Sequence, residues 1–149
     1  MEKDLSSARR LAKLRLKAVL ENVPVATECM AAIARAAGVD EQLLYQIQLA
    51  VDEVCANVVE HAYAGMEPGD MELVCSMGNG LLFIRVRDWG RGFDPEGVAV
   101  PNVEAPLEER HLGGLGLFLV RQVMDSVEFR FDDEKGNEMV MVKRLPDGG

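Results

Sequence analysis

The chain has 149 residues, 48% of them hydrophobic, and 25 acidic side chains against 16 basic ones give a formal charge of -9 at pH 7. That size suits one compact domain, spanning 1–149, around one core. The acidic balance argues against nucleic acid as a direct partner, because phosphate backbones are held by clustered Lys and Arg.

In chain order, Leu14-Arg15-Leu16-Lys17-Ala18 alternates apolar and polar, which predicts an early strand over 14–18 with one face buried. Pro24 stands where a helix can begin, and 26–37 is rich in helix formers before the stop at Gly38. Asp40 is an N-cap candidate for a second helix over 42–63, the longest element, which meets no Pro or Gly until Gly65. On it Leu44, Ile47, Val51, Val54 and Val58 share a face suited to packing on a sheet.

Runs 71–77 and 81–87 are rich in strand formers, and Gly78-Asn79-Gly80 between them suits a tight antiparallel hairpin turn. From Asp94 to Leu112 the chain carries Pro95, Gly97, Pro101, Pro106 and several acids with no sustained period, a connection long enough to act as a lid. Helical spacing returns over 115–125, with Leu119, Val120 and Val123 on one side. Strands over 127–131 and 138–142 follow, joined by a turn at 133–137. Helices and strands in this order predict the α+β class, a two-layer α/β sandwich with a mostly antiparallel sheet.

Cys29, Cys55 and Cys75 are odd in number, widely spaced and set among apolar neighbours. They read as buried thiols in a reducing compartment, not as a disulfide framework or zinc site. No apolar run reaches the ~18–20 residues of a spanning helix, and Met1-Glu2-Lys3-Asp4 opens no signal-type stretch. The expected location is cytoplasmic, without a membrane partner.

Three clusters can carry chemistry. Glu53, Asn57 and His61, spaced i, i+4, i+8, form a stripe along the second helix. Such a stripe can be a solvated face; as chemistry, Asn57 offers an amide oxygen to Mg²⁺ and Glu53 a general base one turn earlier. Asp88-Trp89-Gly90-Arg91-Gly92 follows a strand directly. It is either an ordinary turn or a pocket edge, in which Gly90 and Gly92 let backbone approach a ligand and Asp88 accepts a hydrogen bond from an adenine amine. Gly113-Gly114-Leu115-Gly116 precedes the third helix, where free N–H groups and the positive helix end favour phosphate. No Gly-Lys-Ser/Thr follows and no strand leads straight in, so neither a Walker loop nor a dinucleotide fingerprint is present. Arg110 and His111 precede these glycines, either as surface charge or as cations near a terminal phosphate.

Together these residues resemble the Bergerat or GHKL ATP-binding fold of topoisomerase, chaperone, histidine-kinase and mismatch-repair ATPases, over about 14–145. The resemblance implies ATP and Mg²⁺ as ligands in a mostly antiparallel mixed sheet. It implies Glu53 as catalytic base, Asn57 as magnesium ligand with His61 in the same box, and Asp88 as adenine contact. Gly90 and Gly92 correspond to the pocket turn, and Gly113, Gly114, Leu115, Gly116 and Leu117 to the phosphate side. Length leaves no room for the added domains of the larger branches. Both histidines, His61 and His111, sit inside the ATP motifs.

Leu49-Ala50-Val51-Asp52-Glu53, His61-Ala62-Tyr63 and Glu109-Arg110 leading to Gly113-Gly114-Leu115-Gly116-Leu117 resemble the bacterial anti-sigma-factor serine/threonine kinases. That resemblance implies a cytoplasmic homodimer that binds a sigma factor and phosphorylates an anti-anti-sigma protein of the STAS type. Where sporulation-type members carry a basic residue just before the glycines, this chain has Leu112 and Gly113, which leaves Arg110 as the substitute cation. The alternative is a regulatory module that binds ATP or ADP and sequesters a partner without catalysis.

Overall fold

The computed structural model describes residues 7–91, 112–132 and 134–146. The first strand, β1 (Arg9–Lys17), leads through a 3-10 turn (Leu20–Asn22) into α1 (Val23–Ala36). Then come α2 (Glu41–Asn57), whose last turn widens into a π-helix over Val58–Ala62, and the hairpin β2 (Asp70–Gly78) and β3 (Leu81–Asp88). The third helix, α3 (Leu112–Val123), precedes a second hairpin, β4 (Ser126–Asp132) and β5 (Gly136–Arg144).

The five strands form one sheet in the order β1-β2-β3-β5-β4, and every pairing is antiparallel. The expected α+β sandwich with a mostly antiparallel sheet is what the structure shows, and among the described residues no parallel pairing occurs. Each strand pair reached by a short turn must reverse direction, and β1 returns through two helices to the free edge of β2.

Local signals account for most boundaries. Pro24 sits in the first turn of α1, where its missing N–H costs nothing. Asp40 caps α2, its side chain accepting from Leu43 N–H at 3.0 Å. In the hairpin turn Asn79 and Gly80 both take positive φ, 54° and 73°, as a two-residue turn matched to strand twist requires. Lys143 Nζ donates to Val123 O at 2.5 Å, a cation on the C-terminal carbonyls of α3.

The core lies between the helices and one sheet face. Leu44, Ile47, Val51 and Val54 of α2 are at most 1% exposed and belong to one cluster with Leu73, Ile84 and Met141 of the sheet. Each such side chain contributes about 1.5–3 kcal/mol on burial. The opposite sheet face carries a second, small cluster of Phe83, Val140 and Val142. Beside it the buried Glu138 gathers Arg85 at 3.4 Å, Arg130 at 3.7 Å and Arg87 in direct hydrogen-bond contact, while Glu72 takes Lys13 at 3.5 Å and Arg15 at 3.8 Å.

Cys55 and Cys75 are buried and Cys29 partly so, all three as free thiols. Burial pushes Cys55 up to about 12 and Cys75 to about 11, which leaves both as unreactive core groups. Among the described residues, no helix is long and apolar enough to cross a membrane.

Candidate functional site

A cavity opens between the end of α2 and one end of the sheet. Val54, Asn57, Val58 and His61 line it from the helix, Val86 and Asp88 from β3, Phe129 and Phe131 from β4, and Asn137 and Met139 from β5. Mostly apolar walls with a few polar groups suit a weakly polar ring with hydrogen-bonding edges.

Asp88, the last residue of β3, is only 8% exposed. Its Oδ1 accepts from Gly90 N–H and from Asn137 Nδ2, each at 2.9 Å, and Asn137 Nδ2 reaches Gly90 O as well at 3.1 Å. Burial raises the Asp88 pKa above its ordinary 3.8, with the hydrogen bonds from Asn137 and Gly90 pulling the other way.

The turn after Asp88 closes on the π-helical end of α2. A Cβ on Gly90 would lie 2.2 Å from Ala62 O, so no other residue fits, and Arg91 N–H donates to the same carbonyl at 2.6 Å. Tyr63 fastens the corner. Its hydroxyl donates to Asp70 O at 2.6 Å and accepts from Trp89 N–H at 2.9 Å. Trp89 in turn carries Arg15 over its ring, 4.5 Å from the centroid.

The structure brings Asn57, His61 and Asp88 to one cavity and sets Gly90 in the turn beside it. Glu53 lies one turn before Asn57, half-buried, and is not among the lining residues. Desolvation raises its pKa above 4.5, with the negative charges of Asp52 and Glu60 adding to the shift. A regular α-helix would have carried the stripe on to His61. The i→i+5 turn alters that rotation and leaves the imidazole partly in solvent, 3.9 Å from Glu60.

On the phosphate side, α3 begins at Leu112, so Gly113, Gly114, Leu115 and Gly116 lie inside the helix and do not precede it. Packing of Leu117 and Val120 in the core anchors the helix and outweighs the poor helix propensity of the glycines. Leu117, expected beside the nucleotide, is a core residue only 1% exposed. Gly92, Arg110, His111 and all of the lid expected over 94–112 except Leu112 lie outside the described residues.

Tyr63 and Asn137 are the residues that sequence reasoning missed in this role. Asn137, after Gly136 at the end of a charged turn, read as a turn residue, and the structure places both in β5. Its side chain joins Asp88 because the two residues are register partners across β3 and β5.

A sequence model of the histidine kinase-like ATPase domain matches residues 16–143. The chain belongs to that family. Within it, the chain is 33% identical over 136 residues to the serine-protein kinase RsbW of Listeria monocytogenes serovar 1/2a, covering 89% of this chain and 85% of the relative. It is likewise 33% identical over 137 residues to the serine-protein kinase RsbW of Halalkalibacterium halodurans, covering 89% and 82%. Similarity of this extent places the chain among the RsbW-type members of the family.

A Mycobacterium tuberculosis crystal structure of RsbU and RsbW domains superposes with a TM-score of 0.64 over 90% of this chain at 16% identity, and supports the fold. This chain spans 32% of that longer one. Family membership implies ATP binding, and the cavity fits the base: a buried acceptor, Asp88, lines a largely apolar cavity. The Asn57 side chain on the wall supplies an amide oxygen of the kind Mg²⁺ takes.

Proposed function

We propose that this RsbW-type domain is a Mg-ATP-dependent serine/threonine protein kinase. In this reading it acts as an anti-sigma factor in a partner-switching pathway and phosphorylates an anti-anti-sigma protein of the STAS type. The observation that carries the reading is the convergence of Asp88, Asn57 and His61 on one apolar cavity, in a chain similar to serine-protein kinases over most of its length.

In the proposed reaction a serine or threonine oxygen forms a bond to the γ-phosphorus as the bond from that phosphorus to the β–γ bridging oxygen breaks, and the hydroxyl proton passes to Glu53. Desolvation makes Glu53 a stronger base than an ordinary glutamate. Asp88 would hold the base of the nucleotide, and Asn57 would hold a magnesium ion, which would supply neutralisation of phosphate charge. The glycines Gly113, Gly114 and Gly116 and the cation Arg110 complete the phosphate side by resemblance. Sigma-factor binding and homodimerisation belong to the same proposal.

Labelled ATP, Mg²⁺ and a STAS-domain anti-anti-sigma protein from the same cell should yield phosphoserine or phosphothreonine on that protein. Glu53→Gln should keep ATP affinity and lose transfer by about 100-fold or more, the usual weight of a general base. In the wild type, transfer should fall as pH drops through the raised Glu53 pKa, above 4.5, where the base becomes protonated. Full activity in Glu53→Gln would remove Glu53 from the role. Nucleotide-dependent association with no phosphorylated product would assign the binding-module alternative.

A further inference from the structure

β1 stands at one end of the strand order, and among the described residues no strand lies beyond it. Such an edge presents unpaired N–H and C=O groups, a template for a further strand. From Arg9 to Lys17 it holds five of the 16 basic residues of an acidic chain and no acidic one.

The register sorts these charges onto one side. Arg10 opposes Ser76 and Ala12 opposes Cys75, so Leu11 is an extra residue that bulges from the ladder. One extra residue resets the alternation, and Arg10 therefore shares the outer face with Lys13, Arg15 and Lys17. There it lines a cavity with Ser76, Phe83 and Arg85. Asp70 and Glu72 of β2 pair with Arg15 and Lys13, whereas Arg9, Arg10 and Lys17 have no ion-pair partner among the described residues. On the inner face Leu14 and Leu16 pack against the core but stay only partly buried, because the sheet ends at them.

We propose that the free edge of β1 is a docking site for an extended segment of a partner protein in which acidic and apolar residues alternate, added to the sheet as a sixth strand. Main-chain bonds would supply affinity and the alternation specificity. Acidic side chains of the added strand would lie beside Lys13, Arg15 and Lys17, and apolar ones beside Leu14 and Leu16, completing their burial. A second copy of β1 does not fit this edge, since pairing would set cations against cations. The strands that wall the nucleotide cavity are β3, β4 and β5, so this inference stands apart from the ATP reading.

The test uses a labelled peptide of alternating glutamate and valine, as long as β1, and a second peptide of the same composition with the two residue types in separate blocks. Fluorescence anisotropy should show the alternating peptide binding at least about tenfold more tightly, because only it matches both faces of the edge. Hydrogen exchange should show protection gained over 9–17. Arg10→Glu combined with Lys17→Glu reverses two unpaired charges and should weaken binding by about tenfold. If that variant does not fold, Arg10→Gln with Lys17→Gln reads the same loss, smaller in size. No binding, equal binding of the two peptides, protection elsewhere than β1, or unchanged affinity in the folded variant would each overturn the proposal. Protection of 9–17 that grows with protein concentration in the absence of peptide would assign the edge to a second copy and overturn it as well.

Discussion

At the end of β3 the Asp88 carboxyl is almost fully buried yet held by only two hydrogen-bond donors, Gly90 N–H and Asn137 Nδ2, both on the same oxygen. In the proposed reading its other oxygen is kept for the nucleotide base, and the nucleotide-free protein bears the cost of an under-solvated charge. The sign follows from the raised pKa. A carboxylate whose folded pKa lies above 3.8 destabilises the fold at neutral pH, and the penalty fades as pH falls through the folded pKa. Nucleotide-free Asp88→Asn should therefore unfold at higher urea than wild type at pH 7, with the gap closing as pH falls through the raised pKa and closed below pH 3.8. Its ATP affinity should drop about 10–100-fold, the weight of a hydrogen bond to a charged acceptor. Gly90 N–H and Asn137 fix the Asn oxygen on their side, so the new amide nitrogen would face the adenine amine donor to donor. Equal urea midpoints together with unchanged ATP affinity would refute this account. At this scale Asn57, His61 and Asp88 were singled out because each belongs to a motif of short local spacing. Tyr63 and Asn137 were not, because their partners lie 26 and 49 residues away in sequence.

At the scale of elements, the end of α2 and the end of β3 behave as one unit. The π turn presents Ala62 O to Arg91 N–H and to the bare face of Gly90, and Tyr63 bridges β2 and the β3 turn through one hydroxyl. Tyr63→Phe keeps the ring and removes that bridge, leaving the Asp70 carbonyl and the Trp89 N–H without their partner. The expected cost is about 1–3 kcal/mol in urea unfolding. Trp89 is the only tryptophan, so its fluorescence in the native state should change while far-ultraviolet dichroism stays the same. A variant with wild-type stability and emission would show that the bridge holds nothing. Periodicity showed α2 and the four later strands to within a few residues. It did not show the switch to i→i+5 bonding, which tertiary contacts at Ala62 stabilise, nor the early start of α3, where core packing at Leu117 overrides a glycine-rich text.

On the scale of the whole molecule, the sheet separates two environments. One face packs on the helices α1, α2 and α3 and ends in the cavity, while the other carries arginines gathered on Glu138 around a small apolar cluster. Net charge concealed this polarity, because a total of -9 says nothing about where the cations sit. The alternation Lys13, Leu14, Arg15, Leu16, Lys17 already held it, with leucines toward the core and cations outward. The cavity joins elements distant in sequence, α2 with β3, β4 and β5. A ligand that fills it links them and binds the folded state alone, so affinity must appear as stability. ATP with Mg²⁺ at 100 times its dissociation constant should add about 2.7 kcal/mol. For a chain of this size that raises the melting temperature by about 5–10 °C, at roughly 2–4 °C per kcal/mol. Asp88→Asn at the same ATP concentration should show a smaller rise although it melts higher when nucleotide-free, so the two curves should converge as ATP is added. A wild-type melting temperature that does not move with saturating ATP and Mg²⁺ would leave the cavity without the ligand proposed for it.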